Sequence, residues 1–129
     1  AIWYEPFTTL TGVWEKDRGE HPFNVPESIK SIRLNQNNHA FYDKRLQDFP
    51  VNFLHTMDIT NGNSGSAVFD KKGRIVGVAF DGNYEAMTSD WIYDKDLTRA
   101  ISVDIRYLLL VLSEVEKAEK LLRELTIIQ

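Results

Sequence analysis

The strongest constraint on the fold lies in the middle of the chain. Two β-prone runs, Ser66–Asp70 and Arg74–Phe80, flank Lys71-Lys72-Gly73. A short glycine-containing turn between two such runs is the signature of a β-hairpin. The second run, Ile75-Val76-Gly77-Val78-Ala79-Phe80, is apolar at both alternating sets of positions. It therefore reads as a central strand. Val51–Thr56, bounded by Pro50 and Asp58, reads as a further strand. The core of the chain is thus expected to be β.

The flanks differ. Residues 1–50 look irregular: Asp17 to Pro22 reads as a loop, and Pro26 suits the first turn of a short helix carrying Ile29 and Ile32 on one face. The polar stretch Asn35–Asn38 should end it. Trp3, Tyr4, Phe7 and Trp14 are expected to pack rather than to bind a ligand. Toward the end, Ser102 can cap a helix with Asp104 in its first turn, and Ser113 with Glu116 resembles a second capping box. A helix is therefore expected from about residue 103 to about 125, broken near Ser113. The expected organisation is 1–50 lead-in, 51–101 β segment and 102–129 C-terminal helix, in one domain.

Composition removes several function classes. The 129 residues carry 15 Lys and Arg against 19 Asp and Glu, a net charge of −4 with no basic run, which argues against nucleic-acid binding. No cysteine is present, so a disulfide framework, a thiolate zinc site and a cysteine nucleophile are excluded. The longest apolar run, Tyr107–Leu112, is too short to span a bilayer. The first residues, Ala1-Ile2-Trp3-Tyr4-Glu5, do not resemble a signal peptide, and the abrupt start suggests a piece of something longer.

The chemistry-bearing stretch is Asp58-Ile59-Thr60-Asn61-Gly62-Asn63-Ser64-Gly65-Ser66-Ala67, between two expected strands. A serine nucleophile needs exposure on a tight turn, a base for its proton and donors for the oxyanion. Gly62 and Gly65 can supply the turn, and the N–H groups of Gly62 and Ser64 can then converge as an oxyanion hole. The α/β-hydrolase elbow is excluded, because Ser66 stands where that motif needs glycine. All three histidines, His21, His39 and His55, also precede Ser64.

Ser64-Gly65-Ser66-Ala67-Val68-Phe69-Asp70, the Gly73 turn and Ile75–Phe80 resemble the segment after the nucleophile in chymotrypsin-like peptidases. The fuller pattern is similar to the dipeptidyl-peptidase 7/11 family, serine peptidase family 46. It includes Asp58-Ile59-Thr60, Gly62–Ser66, Ala79-Phe80-Asp81-Gly82-Asn83, Glu85-Ala86-Met87, Asp90, Arg99 and Ile101–Tyr107, and extends from about Pro6 to the C-terminus. The chain departs from it at Met57, Asn61, Ala67 and Tyr84, none of which removes a catalytic atom.

The resemblance implies a mainly β fold, the second barrel of a double-barrel serine peptidase with a C-terminal helix. It implies a serine-type dipeptidyl aminopeptidase, with Ser64 as nucleophile and Asp81 binding the α-amino group of the peptide substrate. Gly82, Asn83 and Asp58 would then line the S1 pocket, which receives the residue before the scissile bond (P1). An uncharged Gly82 points to apolar P1 residues, whereas Asp58, six residues before Ser64, would suit basic ones. The triad histidine and aspartate belong, in the family, to an earlier barrel that this chain lacks. His55 is expected to be structural and the chain alone inactive. The resemblance further implies no cofactor and no metal, a bacterial periplasmic or cell-surface setting, and partnership with the missing barrel. Its exposed barrel face suggests a homodimer. Two rival readings are a non-catalytic protease-like module for peptide binding or assembly and a glutamyl-endopeptidase-like protease.

Overall fold

In the computed structural model, residues 5–32, 38–88 and 91–128 are described. Trp3, Tyr4, Asn35 to Asn37 and Asp90 lie outside them. The chain divides into two compact units, Ala1–Phe7 with Asn52–Ile105, and Thr8–Val51 with Arg106–Gln129. The fold is mainly β. Five strands, β1 (Phe7–Thr9), β2 (Pro50–His55), β3 (Ala67–Phe69), β4 (Ile75–Gly82) and β5 (Ala100–Asp104), form one sheet in the order β1-β2-β5-β4-β3.

The expected hairpin is β3 and β4, paired antiparallel. Its turn is organised by Asp70, whose carboxylate accepts the N–H groups of Lys72 (2.8 Å) and Arg74 (3.0 Å) and pairs with the Arg74 guanidinium at 2.6 Å. Gly73 takes a φ of +73°, which a side chain would resist. As expected, β4 is an interior strand, between β3 and β5. Only Gly77 and Ala79 of its expected doubly covered run are buried, with Val76 and Val78 half-buried. Gly77 makes room for a neighbour: a Cβ there would lie 2.6 Å from the Phe53 ring and 2.7 Å from the Val103 carbonyl oxygen.

The region after residue 100 corrects the sequence expectation. Ser102 does not cap a helix. It sits fully buried in β5, opposite Phe53 of β2 and Ala79 of β4. Pairing along both edges of β5 outweighs the local capping preference. The helical part begins at α3 (Ile105–Leu110), two residues after the expected start, and continues through a π-wound turn, Val111–Val115. The Ser113 hydroxyl bonds back to the Leu110 carbonyl at 3.1 Å without ending the helix. The break comes at Lys117, with a φ of +51°, before the last helix, Glu119–Glu124.

In the second unit, α1 (Leu10–Glu15) and α2 (Glu27–Lys30, directly after Pro26) are short. Leu10, Phe41, Phe49, Leu109 and Leu110 are buried, and the Phe49 ring meets Tyr42 edge-on at 5.4 Å. Asp43 is also buried and accepts the Arg106 guanidinium at 2.8 Å and the N–H groups of Arg45 and Leu46. Burial pushes the Asp43 carboxyl up, but Arg106 and these N–H groups outweigh it and hold it at about 2.

Candidate active site

The loop from Thr60 to Ser66 is two consecutive β-turns. Asn63 N–H donates to the Thr60 carbonyl at 3.2 Å, and Ser66 N–H to the Asn63 carbonyl at 2.9 Å. The third residue of each turn is a glycine with positive φ, Gly62 at +94° and Gly65 at +90°. That position demands positive φ in a type II turn, which explains both glycines. The Asn63 side chain fixes the first turn by accepting the Thr60 N–H at 2.7 Å. Ser64 is thereby the second residue of the second turn, exposed at its corner. Among the described residues, no acceptor takes the N–H of Gly62 or of Ser64.

The loop is docked on β4. Gly65 N–H donates to the Ala79 carbonyl at 2.8 Å, and Ala79 N–H to the Ser66 carbonyl at 2.9 Å. Immediately after Ala79 the β4–β5 register slips: Ala79 faces Ser102, Asp81 faces Ile101, and Phe80 is the extra residue. Such a bulge re-aims the residues that follow it. The Phe80 carbonyl accepts the Ser64 hydroxyl at 3.4 Å. Asp81 is exposed, and its Oδ1 accepts the N–H of Gly82 at 2.8 Å. No other partner of that carboxylate occurs among the described residues.

These two features enclose a cavity of about 350 Å³. The segment leading to Ser64 contributes Ile59 to Ser64, and the bulged end of β4 and the following 3₁₀ turn contribute Phe80 to Asn83, Ala86 and Met87. Ser64, Gly62, Asp81, Gly82 and Asn83, expected from the sequence, thus share one cavity. Asp58 is exposed and is not among the lining residues. Sequence reasoning did not single out Phe80, Ala86 or Met87. Their visible traces were the Ala79–Asn83 and Glu85-Ala86-Met87 patterns, which say nothing by themselves about a wall.

Asn83 lines the cavity with its amide engaged. Its Oδ1 accepts the N–H groups of Arg99 (2.9 Å) and Ala86 (3.2 Å), and its Nδ2 donates to the Leu97 carbonyl at 2.7 Å. His55 is not a lining residue either. Its Nε2 and Ser102 Oγ are hydrogen-bonded at 2.7 Å, and Nδ1 is buried with no partner among the described residues. A buried lone pair without a donor costs less than a buried N–H without an acceptor, which favours the proton on Nε2. Burial also pushes the imidazole pKa down. His55 is thus a half-buried sheet residue engaged with β5. Among the described residues no cluster of three or more His, Asp or Glu side chains could hold a metal ion.

Comparisons with known proteins converge. The model of the family described as Peptidase S46 matches residues 1–127. A dipeptidyl-peptidase 7 of Porphyromonas gingivalis is 45% identical over 129 residues, covering 99% of this chain and 18% of its own length. An Asp/Glu-specific dipeptidyl-peptidase of Shewanella putrefaciens is 36% identical over 150 residues, covering all of this chain and 20% of its own. The crystal structure of Porphyromonas endodontalis DPP11 in complex with the dipeptide Arg-Glu superposes with a TM-score of 0.86 at 32% identity, over 95% of this chain and 18% of that one. The chain spans about a fifth of the length of the curated relatives it matches.

Proposed function

We propose a function for the cavity from one premise: this chain belongs to peptidase family S46. The full-length protein that contains it is a serine-type dipeptidyl-peptidase, releasing dipeptides from peptide N-termini. The observation that carries this reading is that Ser64 and Asp81 line the same cavity. Ser64 attacks the scissile carbonyl, and the N–H groups of Gly62 and Ser64, without acceptors among the described residues, receive the oxyanion. The Asp81 carboxylate, with one oxygen held by Gly82, receives the substrate's α-ammonium through a charge-assisted hydrogen bond. A free amino group two residues before the scissile bond is what distinguishes dipeptide release from internal cleavage.

The P1 side chain enters beside Gly82. Ile59, Phe80, Ala86 and Met87 make that part of the wall apolar, and position 82 brings no charge, so an apolar P1 residue is preferred. The base for Ser64 comes from elsewhere in the full-length protein, since none of the three histidines of this chain lines the cavity. The 129-residue chain alone is therefore inactive. Exposed apolar side chains such as Phe69, Ile75 and Trp91 support association with the first barrel and a homodimer. The setting is bacterial, periplasmic or cell-surface.

The test is a double comparison in the full-length enzyme. Asp81→Ala lowers kcat/KM on free-amine substrates roughly 10- to 100-fold, the usual worth of a hydrogen bond to a charged group. Blocking the substrate amine does similar damage to wild type and adds little in Asp81→Ala, because both remove one pair. Additive losses would refute the assignment of Asp81.

A further inference from the structure

We propose that Ala86 is a second specificity-determining residue, forming with Gly82 one steric unit that sets the room for the P1 side chain. This inference rests on the dipeptidyl-peptidase reading above and adds a residue to it. Gly82 is not in the left-handed region, unlike Gly62, Gly65 and Gly73, so its backbone angles would accept any side chain. What excludes a side chain is space. A Cβ at position 82 would lie 2.8 Å from the Ala86 Cβ, closer than two carbon atoms come without displacement, and 3.6 Å from the Arg99 carbonyl oxygen.

The obstacle is not a flexible tip that could swing aside. A methyl group sits directly on the backbone of the 3₁₀ turn Tyr84–Thr88, and that turn is tied down. Ala86 N–H is held by both the Asn83 carbonyl (2.9 Å) and the Asn83 Oδ1 (3.2 Å). Asn83 is in turn bound to Leu97 and to Arg99, whose N–H and carbonyl both engage it. The end of β4, the 3₁₀ turn and the Leu97–Arg99 segment therefore move as one piece. Asn83 is a positioning residue in this arrangement, and its amide is committed to the wall rather than to a substrate. Ala86 and Gly82 both line the cavity, so a larger residue 86, or a turn displaced by a side chain at 82, takes volume from the same 350 Å³ space.

The consequence is a coupled pair. Enlarging residue 86 removes room for a branched or aromatic P1 side chain, while a small P1 residue loses much less. In an apolar pocket one methylene more or less is worth roughly 10- to 200-fold in discrimination. Adding a methyl group at 82 does the same indirectly, by forcing the turn, and deleting the Ala86 methyl group relieves it.

The experiment measures kcat/KM of the full-length protein on free-amine dipeptidyl substrates that differ only in Leu or Ala at P1. Ala86→Leu should lower the Leu-to-Ala ratio at least tenfold. Gly82→Ala should lower it as well, and Gly82→Ala with Ala86→Gly should bring it back to within about threefold of wild type. A general loss of folding moves both substrates together and leaves the ratio alone, and the double substitution carries the test if Ala86→Leu does not fold. A smaller change in Ala86→Leu, or no recovery in the double variant, overturns the coupling while wild type still releases dipeptides. A wild type that releases none from either substrate refutes the dipeptidyl-peptidase reading itself, and this inference with it.

Discussion

The two units of the chain spend their apolar residues differently. Among the described residues, the unit built on Thr8–Val51 and Arg106–Gln129 buries large side chains, Leu10, Phe41, Phe49, Leu109 and Leu110. The unit that carries Ser64 buries small ones, Val68, Ala79 and Ala100. Its order comes instead from backbone geometry: two glycine turns, a bulge and the hydrogen bonds of Asn83. One unit is held by packing, which tolerates little loss of volume. The other is held by directional bonds that leave a cavity open.

This difference makes activity and stability separable. Ser64→Ala in the full-length protein should cost roughly 10⁴-fold or more in kcat, because it removes the proposed nucleophile. Its melting temperature should hardly move, since Ser64 is exposed and makes one long hydrogen bond of 3.4 Å. Phe49→Ala should do the reverse, costing about 3–5 kcal/mol of stability through the cavity it leaves. Denaturant unfolding of both variants alongside turnover checks the pair. A Ser64→Ala variant that unfolds early, or a Phe49→Ala variant of ordinary stability, would erase the contrast.

Acid should expose the same asymmetry more gently. The Asp43 carboxyl lies at about 2 in the fold against 3.8 for a free aspartate. A depressed carboxyl stabilises the fold above its unfolded pKa, and that stabilisation is lost as pH falls through the folded value. The loss should therefore fall between about pH 4 and pH 2 and amount to about 2 kcal/mol. Asp43→Asn should flatten this part of the stability profile. An unchanged slope in that window would remove Asp43 and Arg106 from the account of the second unit.

Local chemistry explains what could be read before folding. The Gly73 turn and the Ile75–Phe80 run identify their hairpin because turn geometry and apolar patterning agree there. The same holds for Gly62 and Gly65, whose positive φ values put Ser64 at an exposed corner. Ser102 misled for the opposite reason: a serine before an aspartate favours a helix start locally, and only pairing with β2 and β4, some 20 to 50 residues away, makes it a buried strand residue. The bulge at Phe80 and the grip of Asn83 on Arg99 were equally hidden. Both depend on register with β5, which no short window of sequence contains.

Covalent labelling asks whether the cavity around Ser64 is the catalytic site of a serine peptidase. The full-length protein is treated with a fluorophosphonate, a reagent that a serine activated by its base attacks, and the modified peptide is located by mass spectrometry. One stoichiometric adduct on Ser64 is expected, with loss of dipeptide release in step with labelling and no adduct in Ser64→Ala. Full activity retained after labelling, or an adduct on a different serine that tracks the loss of activity, would contradict it.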